Sequence, residues 1–303
     1  MNDPLLNIDL NLLKTLDALL DERSVTRAAE RLCLTQPAVS GMLTRLRESF
    51  DDPLFIRAQR GIVPTLRALE LAGPVKSILA EVGELLQPQQ FDPVLSQMTL
   101  HLAATDYALR TVIVPFIAHL RREAPGIRVA VVPVNSEKLP RQFEDGSVDM
   151  ALLTPETTPP TLHTRQLFDE EYVCLLSENH PLAGCSALSL DDFCAQDHAL
   201  VSWPGANFHG VTDQALAAIG RTRRVTLSVN SFLLLPEILR TSDLISVVPG
   251  RLATGVAGLV RLPPPLIIPG FSKIMVWHDR TYHHKGHQWL RELLVTVAEE
   301  AVC

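Results

Sequence analysis

Cysteine is scarce in this 303-residue sequence: five thiols (Cys33, Cys174, Cys185, Cys194, Cys303), odd in number and with no C-x-x-C pair. That argues against a disulfide framework and fits a reduced chain with incidental thiols. Long apolar runs are missing as well. Asp3, Asp9 and Lys14 interrupt the N-terminal leucines, so neither the basic n-region nor the apolar stretch of a signal peptide is present. Nothing approaches the ~20 apolar residues of a membrane helix, and a cytoplasmic chain with no membrane partner is expected. Positive charge is in deficit: 27 Lys and Arg face 34 Asp and Glu, a net charge of −7, which argues against indiscriminate nucleic-acid binding. G-x-S-x-G, G-x-x-x-x-G-K-[ST] and G-x-G-x-x-G are all absent, so no catalytic residue and no cofactor are assigned and no enzyme is expected. Apolar material is abundant. At 47% hydrophobic and 20% charged, the chain is not disordered and has enough for about two domains of ~150 residues.

The whole-chain charge hides a local excess. Between positions 23 and 67 eight arginines (23, 27, 31, 45, 47, 57, 60 and 67) face four acids, a local charge of +4 that leaves −11 elsewhere. Charge alone does not separate a polyanion-binding module from a solvated helical surface. Three helices are legible here. Leu12, Leu13, Leu16, Leu19 and Leu20 make one amphipathic stripe, and Val25, Ala28, Ala29 and Leu32 a second, which Ser24 can cap. Thr35 can cap a third, with Pro37 tolerated in its first turn and Val39, Leu43 and Leu46 on its inner face. Pro37, Ser40, Gly41 and Thr44 then fall on the outer face. Two short helices joined by a tight turn form a helix-turn-helix, whose second helix would enter the major groove. Residues 51–65, DDPLFIRAQRGIVPT, read as a hairpin with Arg57 and Arg60 near a tip at Gly61, a basic wing for the adjacent backbone.

The residues TRAAERL, TQPAVS, RLRE and DPLFIR across 24–65 closely resemble the winged helix-turn-helix of LysR-type transcriptional regulators. The resemblance implies a sequence-specific DNA-binding regulator with contacts from Ser24, Thr26, Thr35, Gln36, Pro37, Ser40, Thr44, Arg57 and Arg60. Many members carry a basic or polar residue directly after the TQPAVS serine; here it is Gly41, so operator bases cannot be copied from relatives.

Residues 65–87 continue as one helical pattern with Pro74 expected to kink it, and Leu71, Val75, Ile78, Val82 and Leu85 are spaced 4, 3, 4, 3. By itself the seam fits a dimer contact or a helix folded back on its own domain. LysR-type proteins dimerise through a linker helix here, which would hold two reading helices over an interrupted inverted repeat of double-stranded DNA, as a homodimer or homotetramer.

Beyond residue 88 strands and helices alternate, an α/β pattern. Strands are expected near 98–104, 128–134, 148–153, 171–176, 199–203, 225–229, 244–248 and 273–278, with helices near 108–122, 211–219, 232–241 and 285–300. The proline clusters at 154–160 and 262–269 are either surface loops or crossings between two lobes. PGIRVAVVPV, GSVDMALL, YVCLLSENHPL and TSDLISVVPGRLA resemble the bilobal, periplasmic-binding-protein-like effector domain of the same family, and more narrowly its NodD/NahR-like branch. The expected organisation is a DNA-binding domain at 1–65, a linker helix at 66–90 and an effector domain at 91–303. Lobe I would comprise about 92–160 and 268–303, and lobe II about 161–267.

A small organic effector is expected between the lobes, at strand ends. Candidates are Thr105, Asp106 and Tyr107, whose backbone amides could hold an anion, Asn135, Ser231 and Phe232. The polar ones among them read more readily as helix caps than as ligand contacts. The resemblance adds His209 in a loop of this branch, and Glu170 where aromatic-acid sensors carry a basic residue, which disfavours a bound carboxylate. His278, His283, His284 and His287 lie within ten residues, two at i, i+4 spacing. A metal-dependent enzyme or solute-binding domain fused to a helical segment is the competing reading. The segment resembles the family's closing segment, which has no metal role, and no metal is expected.

Overall fold

The computed structural model describes residues 9–59, 61–86, 90–202 and 207–300, and the chain divides into two compact units, one up to residue 89 and one from residue 90.

In the first unit, α1 (Leu10–Glu22) starts where the Asp9 carboxylate accepts the Asn11 and Leu12 amides at 2.8 and 3.1 Å. It ends at Arg23, which turns left-handed at φ 48°. Ser24 caps α2 (Val25–Arg31) and Thr35 caps α3 (Gln36–Phe50), each hydroxyl accepting the amide three residues on. Leu12, Leu16, Leu19, Ala28, Val39, Leu43 and Leu46 close one core between the three helices. The wing follows as an antiparallel hairpin, β1 (Phe55–Ala58) and β2 (Gly61–Pro64), with Arg57 opposite Ile62. Gly61 has φ +96°, and a Cβ there would lie 2.5 Å from the Arg23 carbonyl oxygen that accepts the Ile62 amide. Only glycine brings the wing this close to the α1–α2 corner.

α4 (Leu66–Leu85), capped by Thr65, runs as one helix through Pro74. Its seam divides. Val75, 3% exposed, is sealed into the core of its own unit, with Leu71 and Leu79 half-buried beside it. Lys76 ties the helix to α1 through Asp21 at 2.9 Å. Ile78 and Leu85 stay exposed and Val82 is half-buried. The expectation of a free dimerisation stripe therefore needs correction at Val75. The stripe faces α1 as well, because one apolar face can meet only one neighbour at each turn.

The second unit holds two five-stranded sheets. In chain order its elements are β3 (Thr99–Ala104), α5 (Asp106–Ala108), a π turn (Leu109–Ile113), α6 (Val114–Glu123), β4 (Arg128–Pro133), α7 (Leu139–Asp145), β5 (Met150–Leu153), β6 (His163–Glu170), β7 (Tyr172–Ser177) and α8 (Leu190–Ala195). They continue as β8 (Asp197–Val201), α9 (Val211–Ala218), β9 (Arg224–Val229), α10 (Leu235–Arg240), β10 (Ile245–Pro249), β11 (Leu259–Leu262), β12 (Phe271–Trp277) and α11 (Lys285–Glu300). Lobe I is the sheet β4-β3-β5-β12-β6 and lobe II the sheet β11-β7-β10-β8-β9. β3 pairs parallel with β4 and β5, while β12 runs antiparallel between β5 and β6.

The lobe boundary departs from the expected 160/161. β6 pairs along its whole length with β12 and so belongs to lobe I, and the chain crosses at Glu171, the single residue between β6 and β7. The prolines at 154–160 bracket a short 3-10 turn joining β5 to β6 inside lobe I, whereas those at 262–269 do lie at the return crossing. At these crossings Phe271 pairs with Glu170, and a Cβ on Gly270 would lie 2.2 Å from the Glu170 carbonyl oxygen.

Candidate DNA interface and effector cleft

On α3 the outer face is bare. Gln36, Pro37, Ser40, Gly41 and Thr44 are all exposed, opposite the buried Val39, Leu43 and Leu46. A Cβ on Gly41 would meet nothing within 4 Å, so the face is open at this turn. Thr44 returns its hydroxyl proton to the Ser40 carbonyl at 3.1 Å and keeps its lone pairs outward. Of the expected contact residues, Ser24 and Thr35 are occupied as caps, which fixes the two helix ends where backbone amides can meet phosphate. Thr26 is exposed in the first turn of α2.

The local charge excess is largely neutralised from outside its own segment. Arg27 pairs with Glu22, Arg31 with Asp21 and Asp17, Arg45 with Asp9, and Arg67 with Glu70. The acids between 23 and 67 do not include these partners, because α1 and its cap Asp9 supply all of them but Glu70, which lies one turn along α4. Arg31 and Lys76 both hold the Asp21 carboxyl below the usual carboxylate range. Arg47 clamps the wing to α3, donating to the Pro53 and Phe55 carbonyls at 2.8 and 3.0 Å. Arg57 remains on β1, exposed and without an ion pair among the described residues. Arg60 lies outside the described residues.

Between the lobes lies a cavity of about 380 Å³, floored by Ala104, Thr105, Asp106 and Leu109, walled by Val131–Val134 and closed by Asn230 and Ser231. Asp106 spans it. One carboxylate oxygen accepts the Tyr107 amide at 2.8 Å; the other accepts the lobe II amides of Phe232 at 2.7 Å and Leu233 at 3.4 Å. The Thr105 hydroxyl accepts the Ala108 amide at 3.3 Å. Of the Thr105–Tyr107 amides expected to be available to an anion, that of Tyr107 is thus already bonded to the Asp106 carboxylate, and the next one, of Ala108, to the Thr105 hydroxyl.

Tyr107 and Glu170 form a buried pair behind this cavity, phenol donating to carboxylate. Burial first, then the Glu170 bond, pushes the Tyr107 phenol far above its ordinary range, so it stays a donor. Glu170 also accepts the amides of Glu171 and Arg251 at 3.1 and 3.4 Å, and Phe232 packs edge-on against Tyr107 at 6.0 Å. Thr105, Asp106 and Ser231 therefore line the cavity, while Tyr107, Glu170 and Phe232 support it from behind. Asn135 and His209 do not line it. Asn135 caps the turn into α7 through the Lys138 amide, and His209 is exposed in the loop before α9. The valine wall was read only as a strand, since a residue's facing toward a second lobe leaves no local pattern.

The histidines do not converge on one point: only His284 and His287 meet, their ring centroids 5.0 Å apart. His278 Nδ1 accepts the Arg280 amide at 3.2 Å, His283 packs edge-on against Tyr282, and burial lowers His287 to about 4 beside Asp149. Among the described residues no three His, Cys, Asp or Glu side chains are grouped to hold a metal ion, and no helix is long and apolar enough to cross a membrane.

Residues 10–69 match the bacterial regulatory helix-turn-helix of the lysR family, and residues 95–299 match the LysR substrate binding domain. The chain belongs to the LysR family. It is 38% identical to the HTH-type transcriptional activator NagR of Ralstonia sp. over 97% of this chain and 99% of that protein. It is 36% identical to the activator NahR of Pseudomonas putida, over 95% and 97%. A crystal structure of a probable transcriptional regulator from Pseudomonas aeruginosa, 32% identical, superposes with a TM-score of 0.60 over 96% of this chain and 97% of that one. The protein is a LysR-type transcriptional regulator with a helix-turn-helix and an effector-binding domain, and the family and these relatives are regulators rather than enzymes.

Proposed function

We propose that this LysR-type regulator reads its operator with Gln36, Pro37, Ser40 and Thr44 on α3 and grips the adjacent backbone with the wing through Arg57. Small polar side chains on an open helix face suit base edges, and a wing arginine suits phosphate. Two copies joined along the still-exposed part of α4, Ile78 and Leu85, would present two reading helices to an inverted repeat, as a dimer or a pair of dimers. Its place of work is the cytoplasm, where that DNA is.

The switch is a small organic ligand in the cavity between the lobes. The observation that carries it is the Asp106 bridge: one lobe I carboxylate, lining an open cavity, holds two lobe II amides. A ligand bound there changes the contacts on which the lobe arrangement depends. It transmits only if it favours one arrangement over the other, and such coupling is typically ~1–3 kcal/mol. The test measures affinity for DNA upstream of the protein's own gene, with and without metabolites that raise its unfolding temperature. A several-fold shift in operator affinity supports the reading. Stabilising metabolites that never alter DNA binding would overturn the cleft as a switch, and failure to prefer that DNA over unrelated DNA would overturn the assigned target.

A further inference from the structure

We infer that the effector is a neutral, largely apolar molecule offering one hydrogen-bond donor, and that the cleft rejects carboxylates of the same shape. The inference rests on the cleft reading above and concerns its charge preference. Among the described residues lining the cavity, Asp106 alone is ionisable, and no Lys, Arg or His contributes. A ligand carboxylate would therefore enter against a like charge, in a site otherwise lined by the apolar Ala104, Leu109 and Val131–Val134 and the uncharged polar Thr105, Asn230 and Ser231.

Part of the usual compensation is already spent, with the Thr105 and Ser231 hydroxyls left as donors. The helix-start amides that could cradle an anion are taken: Tyr107 N–H bonds Asp106 and Ala108 N–H bonds the Thr105 hydroxyl. The Phe232 and Leu233 amides at the facing edge are taken by Asp106 as well. The nearby cations do not line the cavity. The Arg251 guanidinium lies over the Phe168 ring at 3.5 Å and reaches the Ala298 carbonyl at 3.4 Å. Lys273 is 3% exposed, with its ammonium 5.9 Å from the centre of the Tyr107 ring, so Tyr107 lies close to it. The second acid near the site, Glu170, faces Tyr107 and adds further negative charge behind the cavity.

Asp106 also sets what is accepted. An ionised carboxylate has about four acceptor positions, and three are filled by the amides of Tyr107, Phe232 and Leu233. One remains for a hydroxyl or N–H of the ligand. The Thr105 and Ser231 hydroxyls, each accepting one amide, still have a proton to donate to a ligand oxygen.

The experiment compares isosteric pairs on the full-length protein by titration calorimetry: 4-hydroxybenzamide against 4-hydroxybenzoate, and benzyl alcohol against benzoate. Each pair is run on the natural chain, on Asp106→Asn, and on Val131→Trp, which fills the cavity from an exposed wall position. The expected result is neutral members binding at least tenfold more tightly than their ionised partners. That gap should narrow below threefold in Asp106→Asn, and all binding should vanish in Val131→Trp. Carboxylates that bind as tightly as their partners, and lose binding in Val131→Trp, would overturn the charge preference while leaving the cleft intact. Binding of either class that Val131→Trp leaves unchanged, or no binding by any of the four probes, would overturn the cleft reading and the inference with it.

Discussion

At the scale of single residues, spatial partners matter more than residue type. Eight arginines between positions 23 and 67 look interchangeable in the sequence, yet Arg31 fastens α2 to α1, Arg47 holds the wing, and Arg57 is left facing outward. An unpaired arginine releases condensed counterions when it meets phosphate, whereas a paired one must first break its own bond. Arg57→Ala is therefore expected to weaken binding to operator and unrelated DNA by similar factors and to reduce the slope of log affinity against log salt by about one. Fluorescence anisotropy across a salt series checks this, with Arg67→Ala as the paired control. Equal slopes in the natural chain and Arg57→Ala would remove the wing contact.

Among elements, α4 separates two roles that the heptad spacing merged. Val75→Asp buries a charge in the core of the first unit, a cost of several kcal/mol that should unfold that unit instead of merely dissociating the subunits. Ile78→Asp with Leu85→Asp changes exposed positions and is expected to leave the fold intact while reducing the assembled mass and the affinity for a two-site operator. Circular dichroism and light scattering distinguish the outcomes, and folded, undissociated double mutants would locate the dimer contact elsewhere. The same contrast marks what the sequence made legible. Caps at Ser24 and Thr35 and unbroken leucine stripes are local, so α1, α2 and α3 could be read directly. β6, His-Thr-Arg-Gln-Leu-Phe-Asp-Glu, has adjacent rather than alternating apolar residues and draws its strand character from β12, a hundred residues on. α7 buries only Leu139 and Phe143, and the four-residue β11 is defined by β7; neither carries a full period. In the cleft, Thr105, Asp106 and Ser231 followed from the rule that ligands meet strand ends, but Asn135, at the comparable end of β4, does not line the cavity, and neither does His209, which came from the family resemblance. Which end faces the cavity is set by how the two sheets meet, and no local window contains that.

At the scale of the whole second unit, acid sensitivity is set by burial. His198 is fully buried, its Nε2 proton donated to the Phe193 carbonyl at 2.9 Å and its Nδ1 accepting from Arg223 at 3.2 Å. Burial foremost, with the Arg223 charge, lowers it from 6.5 to about 4. The unfolded chain then takes up a proton that the folded one refuses. This stability is complete above pH 6.5 and is lost as pH falls toward 4, by about 3 kcal/mol. The unfolding temperature should decline through that window, and the His198 ring protons should show no titration in the folded protein until pH is below about 5. A ring titrating near 6.5 would refute the neutral assignment.

The crossing at Glu171 carries a mechanical consequence. Because Phe271 is laced to Glu170 and Gly270 leaves no room for a side chain against that strand, the two connections behave as one narrow ribbon instead of two independent tethers. A ribbon bends easily across its width and resists sliding along its length. The lobes are therefore expected to bend about this ribbon more readily than they slide along it, so that occupancy of the proposed cleft would be reported chiefly as a rotation.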